Sequence, residues 1–548
     1  MRTIFLRLAC LCALLAPVLT ARAANPYLPL WEYIPDGEPY VFEDPDHPGQ
    51  YRVYIYGSHD TMQSEYCGRD QVVWSASVDD LRNWRFDGVI FTSRTDATGA
   101  LLRPDGQGDV LYAPDVVEKI GTDGRKTYYL YPNNQAGGRQ NMVARSDRPD
   151  GPFEVCNWDP ANPRRTVGPL GFDPGVFIDD DGRVYGFWGF KESWGAELDP
   201  ATMATLLPGE KPRRILDKGP EGFNFFEASS IRKIEDKYVL VYSRVQGQGE
   251  FGLPSSNYNL YYAYSDAPLG PYTFGGVVID ARARGLDREG RTMATASPNG
   301  NTHGGLARIG DQWYVFYHRQ AGLTGYARQA MVAPVSISVT PGPGGKVEIS
   351  EGEYNSQGFE LDGLDPLEWH SAGIACYYTG PQLSVKNRGG NIFYGSYIDP
   401  AYGVWQPGIG VYEKTEDRYA DAAGNPYAPE INHNPVVNNT PGSVVGYKYF
   451  NFDGIRAARA YRMLVRLVPK GVRGRIVVMA DSPWPEQGGK RLGTLRLSGR
   501  ERPELTTRRV RVRAARRLQG PHALYFVFEG DGSQDASLCD LHAFVFTR

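Results

Sequence analysis

Short apolar runs rich in aromatic residues recur along the first 340 residues, each preceded by an ionisable residue and a polar turn. The repeated runs lie at 51–56, 128–131, 184–188, 238–242 and 313–317. Their valine and tyrosine content is typical of β-strands, and no window has the 3.6-residue period of a long amphipathic helix. A repeat of several tens of residues built from strands indicates a radial array of small sheets. We therefore predict an all-β fold that begins with a five-bladed β-propeller.

One ionisable residue stands a short distance ahead of each repeated strand. In chain order these residues are Asp36, Asp115, Asp173, Glu227 and His303. The first strand of each propeller blade runs beside the central axis, so equivalent positions of different blades converge on one funnel. A carboxylate at such an axis is costly to bury without a partner or a function. We therefore expect four carboxylates and a histidine to meet at one site.

The five-fold pattern stops near residue 340, and a different one follows beyond about residue 365. Alternating apolar and polar residues occupy 444–452, 461–468, 475–479, 508–513, 523–528 and 542–546. This period-2 pattern predicts a β-sandwich of jelly-roll type. Because 548 residues exceed what one hydrophobic core usually supports, two domains are expected. We assign the propeller to 24–360 and the sandwich to 361–548.

The first 23 residues form a separate segment. Arg2 and Arg7 flank the start of an apolar run at 8–19, which ends at the pattern Ala-Arg-Ala at 21–23. This arrangement is typical of a cleavable signal peptide and predicts a secreted or periplasmic protein. No later run is long and apolar enough to predict membrane insertion.

Composition narrows the possible partners. The net charge of −4 argues against nucleic acid as the main partner. Four cysteines follow the signal peptide, too few for a disulfide scaffold in a chain of this size, although Cys376 and Cys539 can pair between the first and last strands of the second domain. The oligomeric state stays open.

A carboxylate pair across a pocket is the machinery of glycosidic bond cleavage. Taken singly, the acidic residues have plainer explanations, since Asp36 lies in a turn tripeptide and Asp173 precedes a proline. Asp115 either lines the pocket or only fixes the start of its strand. His303 is either structural or holds a cation such as Ca²⁺ through bound water. Because these ionisable residues recur at the same position of successive repeats, we favour a catalytic site.

Several segments between residues 25 and 340 resemble glycoside hydrolase family 43, whose members are five-bladed propellers that act on arabinose- and xylose-containing glycans. The matching segments are Asn-Pro at 25–26 with Pro-Asp at 35–36, Gly-Phe-Asp-Pro-Gly-Val-Phe at 171–177, Phe-Glu-Ala-Ser at 226–229, Asn-Thr-His-Gly at 301–304 and Tyr-His-Arg at 317–319. The resemblance implies that Asp36 is the general base, that Glu227 is the general acid, and that Asp173 orients Glu227 and raises its pKa. If Asp36 points away from the pocket, Glu38 is the next candidate for the base.

The resemblance also implies binding residues. Arg319 falls at the strand end near the sugar site, and we assign it to substrate binding together with Asp115. His303 corresponds to the metal-associated axial histidine, which implies a structural Ca²⁺ at the propeller axis and no other cofactor. The segment 520–528 is similar to family 6 carbohydrate-binding modules, so the second domain is expected to hold glycan.

These observations predict an inverting exo-acting glycoside hydrolase that removes arabinofuranosyl or xylosyl residues from a polysaccharide or oligosaccharide. A galactose-directed exo-enzyme, either a galactofuranosidase or a galactosidase, is the alternative within the same scaffold. A catalytically silent propeller that only binds glycans is the alternative from another class. The presence of all three carboxylates favours an enzyme, because glycan binding alone requires no paired acid and base.

Overall fold

The structure is a computed structural model that describes residues 24–61, 65–216, 222–297, 300–323, 325–381, 395–400, 434–530 and 536–548. The predicted signal peptide lies outside the described residues. Strands dominate the described ranges, and their one α-helix is the short α1 (Asp453–Ala457). No helix in these ranges is long and apolar enough to cross a bilayer.

Five antiparallel sheets follow one another along the chain, and four of them have four strands. Blade 1 comprises β1 (Glu38–Glu43), β2 (Tyr51–Tyr56), β3 (Gln71–Ser77) and β4 (Asp80–Phe91). Blade 2 comprises β5 (Asp115–Ile120), β6 (Lys126–Tyr131), β7 (Ala144–Ser146) and β8 (Glu154–Val155). After the hairpin of β9 (Trp158–Asp159) and β10 (Asn162–Thr166), blade 3 comprises β11 (Gly175–Ile178), β12 (Val184–Trp188), β13 (Trp194–Leu198) and β14 (Arg213–Arg214).

The last two blades complete the array. Blade 4 comprises β15 (Phe225–Ile234), β16 (Lys237–Arg244), β17 (Asn259–Ser265) and β18 (Thr273–Asp280). A hairpin of β19 (Arg284–Leu286) and β20 (Thr292–Ala294) precedes blade 5, which has β21 (Leu306–Ile309), β22 (Gln312–Gln320) and β23 (Arg328–Val335). A further hairpin of β24 (Ile337–Val339) and β25 (Val347–Ile349) follows it.

The innermost strands pack around one axis. β1 contacts β5, β5 contacts β11, β11 contacts β15, and β21 contacts β1. Arg232 of β15 donates from Nε to the Leu306 carbonyl of β21 at 2.9 Å, which closes the ring. Aromatic side chains fill the space between blades, as where Phe42 of blade 1 meets Tyr128 of blade 2 edge-on at 5.1 Å. The prediction of an all-β propeller is confirmed.

Asn25, near the first of the described residues, is anchored on the outer strand of the three-stranded blade 5. The Asn25 side chain donates to the Val332 carbonyl at 2.6 Å and accepts from the Val332 N–H at 3.0 Å. An amide side chain therefore pairs with β23 as a neighbouring strand would. This anchor holds the segment that leads to Asp36 against blade 5.

Two facing sheets form the second domain. The first contains β26 (His370–Ser371), β28 (Tyr397–Ile398), β29 (Val436–Val437), β31 (Arg462–Pro469), β34 (Thr506–Arg511) and β36 (Cys539–Thr547). The second contains β27 (Tyr377–Thr379), β30 (Val444–Asn451), β32 (Arg473–Ala480), β33 (Lys490–Ser498) and β35 (Pro521–Gly530). Phe526 of one sheet packs on Phe544 of the other at 5.2 Å. The sandwich prediction is confirmed, whereas its likeness to a carbohydrate-binding module stays a prediction.

The disulfide considered from the sequence is absent. Cys376 lies just before β27 of one sheet, and Cys539 begins β36 of the other. All four cysteines of the described ranges are free thiols. The predicted domain boundary at residue 360 falls in the strand-free stretch between Ile349 and His370 and stays a prediction.

Candidate active site

The three predicted catalytic carboxylates lie at the same end of the inner strands. Asp36 and Asp173 come just before β1 and β11, and Glu227 lies near the start of β15 at a break in the strand register. Their side chains are buried, with residue exposures of 4% to 7%. Asp36, Asp173 and Ala228 all have positive φ angles, between 47° and 74°. Such backbone is uncommon outside glycine and clusters at functional sites, and here it occurs at Asp36, at Asp173 and at the residue that follows Glu227.

Asp36 is surrounded by donors. Its carboxylate accepts from the Ser58 hydroxyl at 2.5 Å and from Arg328 Nη1 at 3.2 Å to each oxygen. Its backbone N–H donates to Nδ1 of His318, whose Nε2 faces the Asn301 carbonyl at 2.6 Å. Burial acts to raise the pKa of Asp36, but the positive charge of Arg328 and the other groups around the carboxylate, including the Ser58 hydroxyl, together outweigh burial and the pKa is lowered. Asp36 is therefore ionised at neutral pH, as a general base requires.

Arg328 is the cation at this site, and it is itself buried with 1% exposure. Its Nε and Nη2 donate to the two oxygens of Asp60 at 2.9 and 2.8 Å. Asp60 follows β2 of blade 1, while Arg328 begins β23 of blade 5. The guanidinium therefore bridges two blades while Nη1 faces Asp36, and its planar fork suits this two-sided contact.

Asp173 and Glu227 form a second group without a cation of its own. Asp173 accepts from the Asn133 side chain at 2.7 Å and from the backbone N–H of Ala228. Burial and then the negative charges of Glu227 and Asp36 raise the pKa of Asp173 well above its ordinary value. Burial and then the charge of Asp36 raise the pKa of Glu227 to about 8. The pair therefore keeps a proton at neutral pH, and Glu227 can serve as a general acid.

Asp115 is fully occupied by protein contacts. Its Oδ1 accepts from the Tyr40 hydroxyl at 2.6 Å, and its Oδ2 accepts from the Val176 N–H at 2.6 Å. It thereby joins the inner strands of blades 1, 2 and 3. Burial, with the charge of Glu38, raises its pKa to about 7. These contacts match the alternative in which Asp115 fixes the start of its strand, and its role in substrate binding stays a prediction.

Arg319 points away from the carboxylates. Its guanidinium donates to the carbonyls of Gly373 and Ala375, before the first long strands of the sandwich, and to the Gln329 side chain at 3.0 Å. The side chain is buried at the junction of the two domains. A sugar would have to displace these bonds, so the contacts give no support to substrate binding by Arg319, which stays a prediction.

His303 lies between Asp173 and Glu38. Its Nδ1 is 3.7 Å from Asp173 Oδ2, and its Nε2 is 3.8 Å from Glu38 Oε1. Among the described residues, both ring nitrogens and Glu38 Oε1 have no hydrogen-bond partner. Burial lowers the pKa of His303 and favours the neutral ring. Glu38 is otherwise paired with Arg232 at 2.8 Å, so it is not free to replace Asp36 as the base.

A directly ligated metal does not fit this arrangement. In the described ranges no group of three or more histidine, cysteine, aspartate or glutamate side chains has metal-ligand spacing. The orphaned polar atoms around His303 do fit contacts with water molecules, including the waters of a hydrated cation.

Comparison with known proteins identifies the family. The model of Glycosyl hydrolases family 43 matches residues 40–339, which include Asp173, Glu227 and His303. The chain belongs to glycosyl hydrolases family 43. Among its relatives, a "Xylosidase/arabinosidase" of Thermoclostridium stercorarium is 32% identical over 93% of this chain and 96% of its own length. An "Arabinoxylan arabinofuranohydrolase" of Paenibacillus polymyxa is 26% identical over 96% of this chain and 73% of its own length.

A solved structure of the same family is also similar. It is a family 43 arabinoxylan arabinofuranohydrolase from Bacillus subtilis in complex with cellotetraose, 20% identical, with a TM-score of 0.43. The superposition covers 97% of this chain and 100% of the other.

Several functional residues of this family 43 site were missed from the sequence. They are Ser58, Asp60, Asn133, Asn301, His318 and Arg328. Asn301 and His318 stood in the segments that carried the resemblance, but no role was assigned to them. The other four do not lie ahead of a repeated strand, at the position that the carboxylates share. The repeat that identified the carboxylates therefore gave no signal for them.

The charge arrangement predicts a bell-shaped pH dependence of kcat/KM for this family 43 enzyme. Activity should fall as pH rises through about 8, where Glu227 loses its proton. The acid limb should lie below the ordinary range of a carboxylate, because the pKa of Asp36 is lowered. In Asp173→Asn the alkaline limb should move to lower pH, because the charge coupling by which Glu227 raises the pKa of Asp173 acts in both directions and is removed.

The matched control is Asp311→Asn, which removes an exposed carboxylate of blade 5 far from the site. Its pH profile should coincide with that of the wild type. An alkaline limb that stays in place in Asp173→Asn would contradict the role given to Asp173.

Proposed function

We propose that this family 43 glycoside hydrolase is an inverting exo-acting enzyme that removes arabinofuranosyl or xylosyl residues from a polysaccharide or oligosaccharide. The observation that carries the proposal is the opposite pKa shift of two carboxyl groups in one buried cluster, lowered for Asp36 and raised for Glu227. An ionised base and a protonated acid are the two groups that glycosidic hydrolysis needs. The names of the two relatives support the choice of sugars.

The residues divide the reaction between them. Asp36 accepts a proton from water as the water oxygen bonds to the anomeric carbon, and Glu227 donates its proton to the departing glycosidic oxygen. Asp173, held by Asn133, accepts from the N–H of Ala228 and thereby fixes the strand that carries Glu227. For inversion, the carboxyl groups of Asp36 and Glu227 should stand about 6.5–9.5 Å apart, leaving room for the water.

The proposal also covers where the enzyme acts and what its second domain does. The segment at 1–23 supports export of the protein from the cytoplasm. The sandwich domain, joined to the propeller through Arg319, is proposed to hold the enzyme on its polymer.

The two catalytic roles can be separated by leaving-group dependence. Glu227→Gln removes the proton donor, so substrates with poor leaving groups should lose about 10²–10⁴-fold in kcat/KM, and activated aryl glycosides should lose less. In Asp36→Asn the water is not activated whatever the leaving group, so both substrate types should lose comparable activity. Rates on aryl glycosides of arabinofuranose, xylose and galactose, and on the matching oligosaccharides, measure both effects.

Glu289→Gln, at an exposed glutamate, is the matched control and should behave as the wild type. Proton NMR of the first product anomer decides inversion against retention. Unchanged activity of both mutants would refute the mechanism, and release of galactose alone would refute the proposed sugars.

The orphaned atoms around His303 support a second proposal, a hydrated Ca²⁺ at the propeller axis. His303 and Glu38 would contact the waters of the ion, which would supply positive charge beside Glu38 and Asp173. A chelator should lower the melting temperature or the activity of the wild type, and added Ca²⁺ should restore it. His303→Ala should be insensitive to chelator. A wild type that does not respond to chelator in either measurement would contradict the proposal.

A further inference from the structure

Three phenylalanines form a connected cluster beside the acid pair. Phe172 immediately precedes Asp173, and Phe226 immediately precedes Glu227. The ring of Phe190 lies between them, 5.0 Å from the Phe172 centroid and 5.2 Å from the Phe226 centroid. Phe172 and Phe226 are partly buried, but Phe190 is 44% exposed. We call Phe172, Phe190 and Phe226 the phenylalanine platform.

The loop that carries Phe190 is bonded to both catalytic segments. It joins β12 to β13, and its Gly189 N–H donates to the Phe172 carbonyl at 2.8 Å. The Lys191 N–H donates to the Phe226 carbonyl at 2.6 Å. Gly189 has a φ of 144°, and a Cβ there would lie 1.8 Å from the Glu192 carbonyl oxygen, so only glycine fits. The position of Phe190 is therefore set by the backbone of the residues that precede Asp173 and Glu227.

The far side of the loop is held as well. The Ser193 carbonyl accepts from the Ile215 N–H at 3.1 Å, and Glu192 pairs with Arg214 at 2.6 Å. The Phe190 ring is therefore held in place and yet exposed to solvent. A ligand that packs on it gains apolar contact, and little further conformational entropy is lost because the ring is already ordered. The Lys191 ammonium, 5.0 Å from the Phe190 centroid, adds a hydrogen-bond donor beside it.

The position of the platform indicates what it contacts. Glu227 donates its proton to the oxygen that departs with the leaving group, so the leaving-group sugar lies on the Glu227 side of the cleaved bond. Two residues of the platform directly precede Asp173 of blade 3 and Glu227 of blade 4, whereas the base Asp36 belongs to blade 1. The apolar face of a pyranose ring suits an aromatic surface, and its hydroxyl groups suit the Lys191 ammonium.

We infer that Phe190 is the stacking residue for the leaving-group sugar, so that the platform selects substrates in which the released residue is attached to another sugar. This inference rests on the proposed function, since it needs Glu227 as the acid. It adds a substrate-contacting residue that belongs to no repeat and carries no ionisable group.

The test compares two substrates that differ only beyond the cleaved bond. The first is an oligosaccharide that ends in the sugar released by the wild type, and the second is the glycosyl fluoride of that sugar, whose leaving group is too small to reach Phe190. Phe190→Ala should lower kcat/KM on the oligosaccharide about tenfold. On the fluoride it should stay within about twofold of the wild type. Phe190→Trp should recover most of the loss on the oligosaccharide.

Tyr51→Ala is the matched control, because Tyr51 is 49% exposed and begins β2 at the end of blade 1 away from the site. It should leave both substrates unaffected. Equal losses on both substrates in Phe190→Ala, or no loss on the oligosaccharide, would overturn the inference while the proposed function stands. A wild type that hydrolyses neither substrate would overturn the proposed function and this inference with it.

Discussion

The buried guanidinium of Arg328 connects the closure of the propeller to the chemistry of its site. It contacts both oxygens of Asp60 from blade 1 and both oxygens of Asp36, while its own strand belongs to blade 5. A buried charge is tolerated only where it is paired and its donors are satisfied. Here the pairing that stabilises the seam between first and last blade also places a positive charge against the base. Loss of Arg328 would therefore affect the ring and the reaction together.

The same arrangement explains why the pKa values of similar carboxyl groups shift in opposite directions. Asp36 is hydrogen-bonded to a cation and a hydroxyl, whereas Asp173 and Glu227 accept from the neutral amides of Asn133 and Asn301, and the lowering by Arg328 does not offset burial at Glu227. Burial raises the pKa of all three, and only at Asp36 is it outweighed. One carboxylate is thus kept ionised and another protonated within one cluster, which is the division of roles that acid–base hydrolysis requires. The phenylalanine platform then lies on the side of the protonated group.

The fold and the carboxylates were predictable because both depend on local patterns that recur. A strand-forming run and a preceding ionisable residue are visible in each repeat, so five blades and a common axis followed from the sequence. Arg328 and Asp60 were not predictable in this way, because they come from a third strand and from the end of a second strand, and only the closed ring brings them together. No local sequence pattern predicts the contact between Arg328 and Asp60.

The surroundings of Arg319 show a second limit of the sequence. Successive side chains of a strand point in opposite directions. His318 faces Asp36, so its neighbour Arg319 faces the sandwich. The segment was recognised, but only the register of β22 shows which of these two adjacent residues faces Asp36. The pairing considered for Cys376 and Cys539 failed for a related reason, since the order of strands along the chain does not tell which sheet each strand joins.

The protonation states of Asp36 and Glu227 at neutral pH are the central claim, and infrared difference spectroscopy reads them directly. The carbonyl stretch of a protonated carboxyl group is distinct from the bands of a carboxylate. Near pH 7 the spectrum of the wild type minus that of Glu227→Gln should contain a protonated carboxyl band beyond those that Asp173 and Asp115 give in both proteins, and the spectrum of the wild type minus that of Asp36→Asn should contain carboxylate bands, as the raised and lowered pKa values require. Carboxylate bands in the first difference and a protonated carboxyl band in the second would contradict the account, because the acid and the base would then be exchanged.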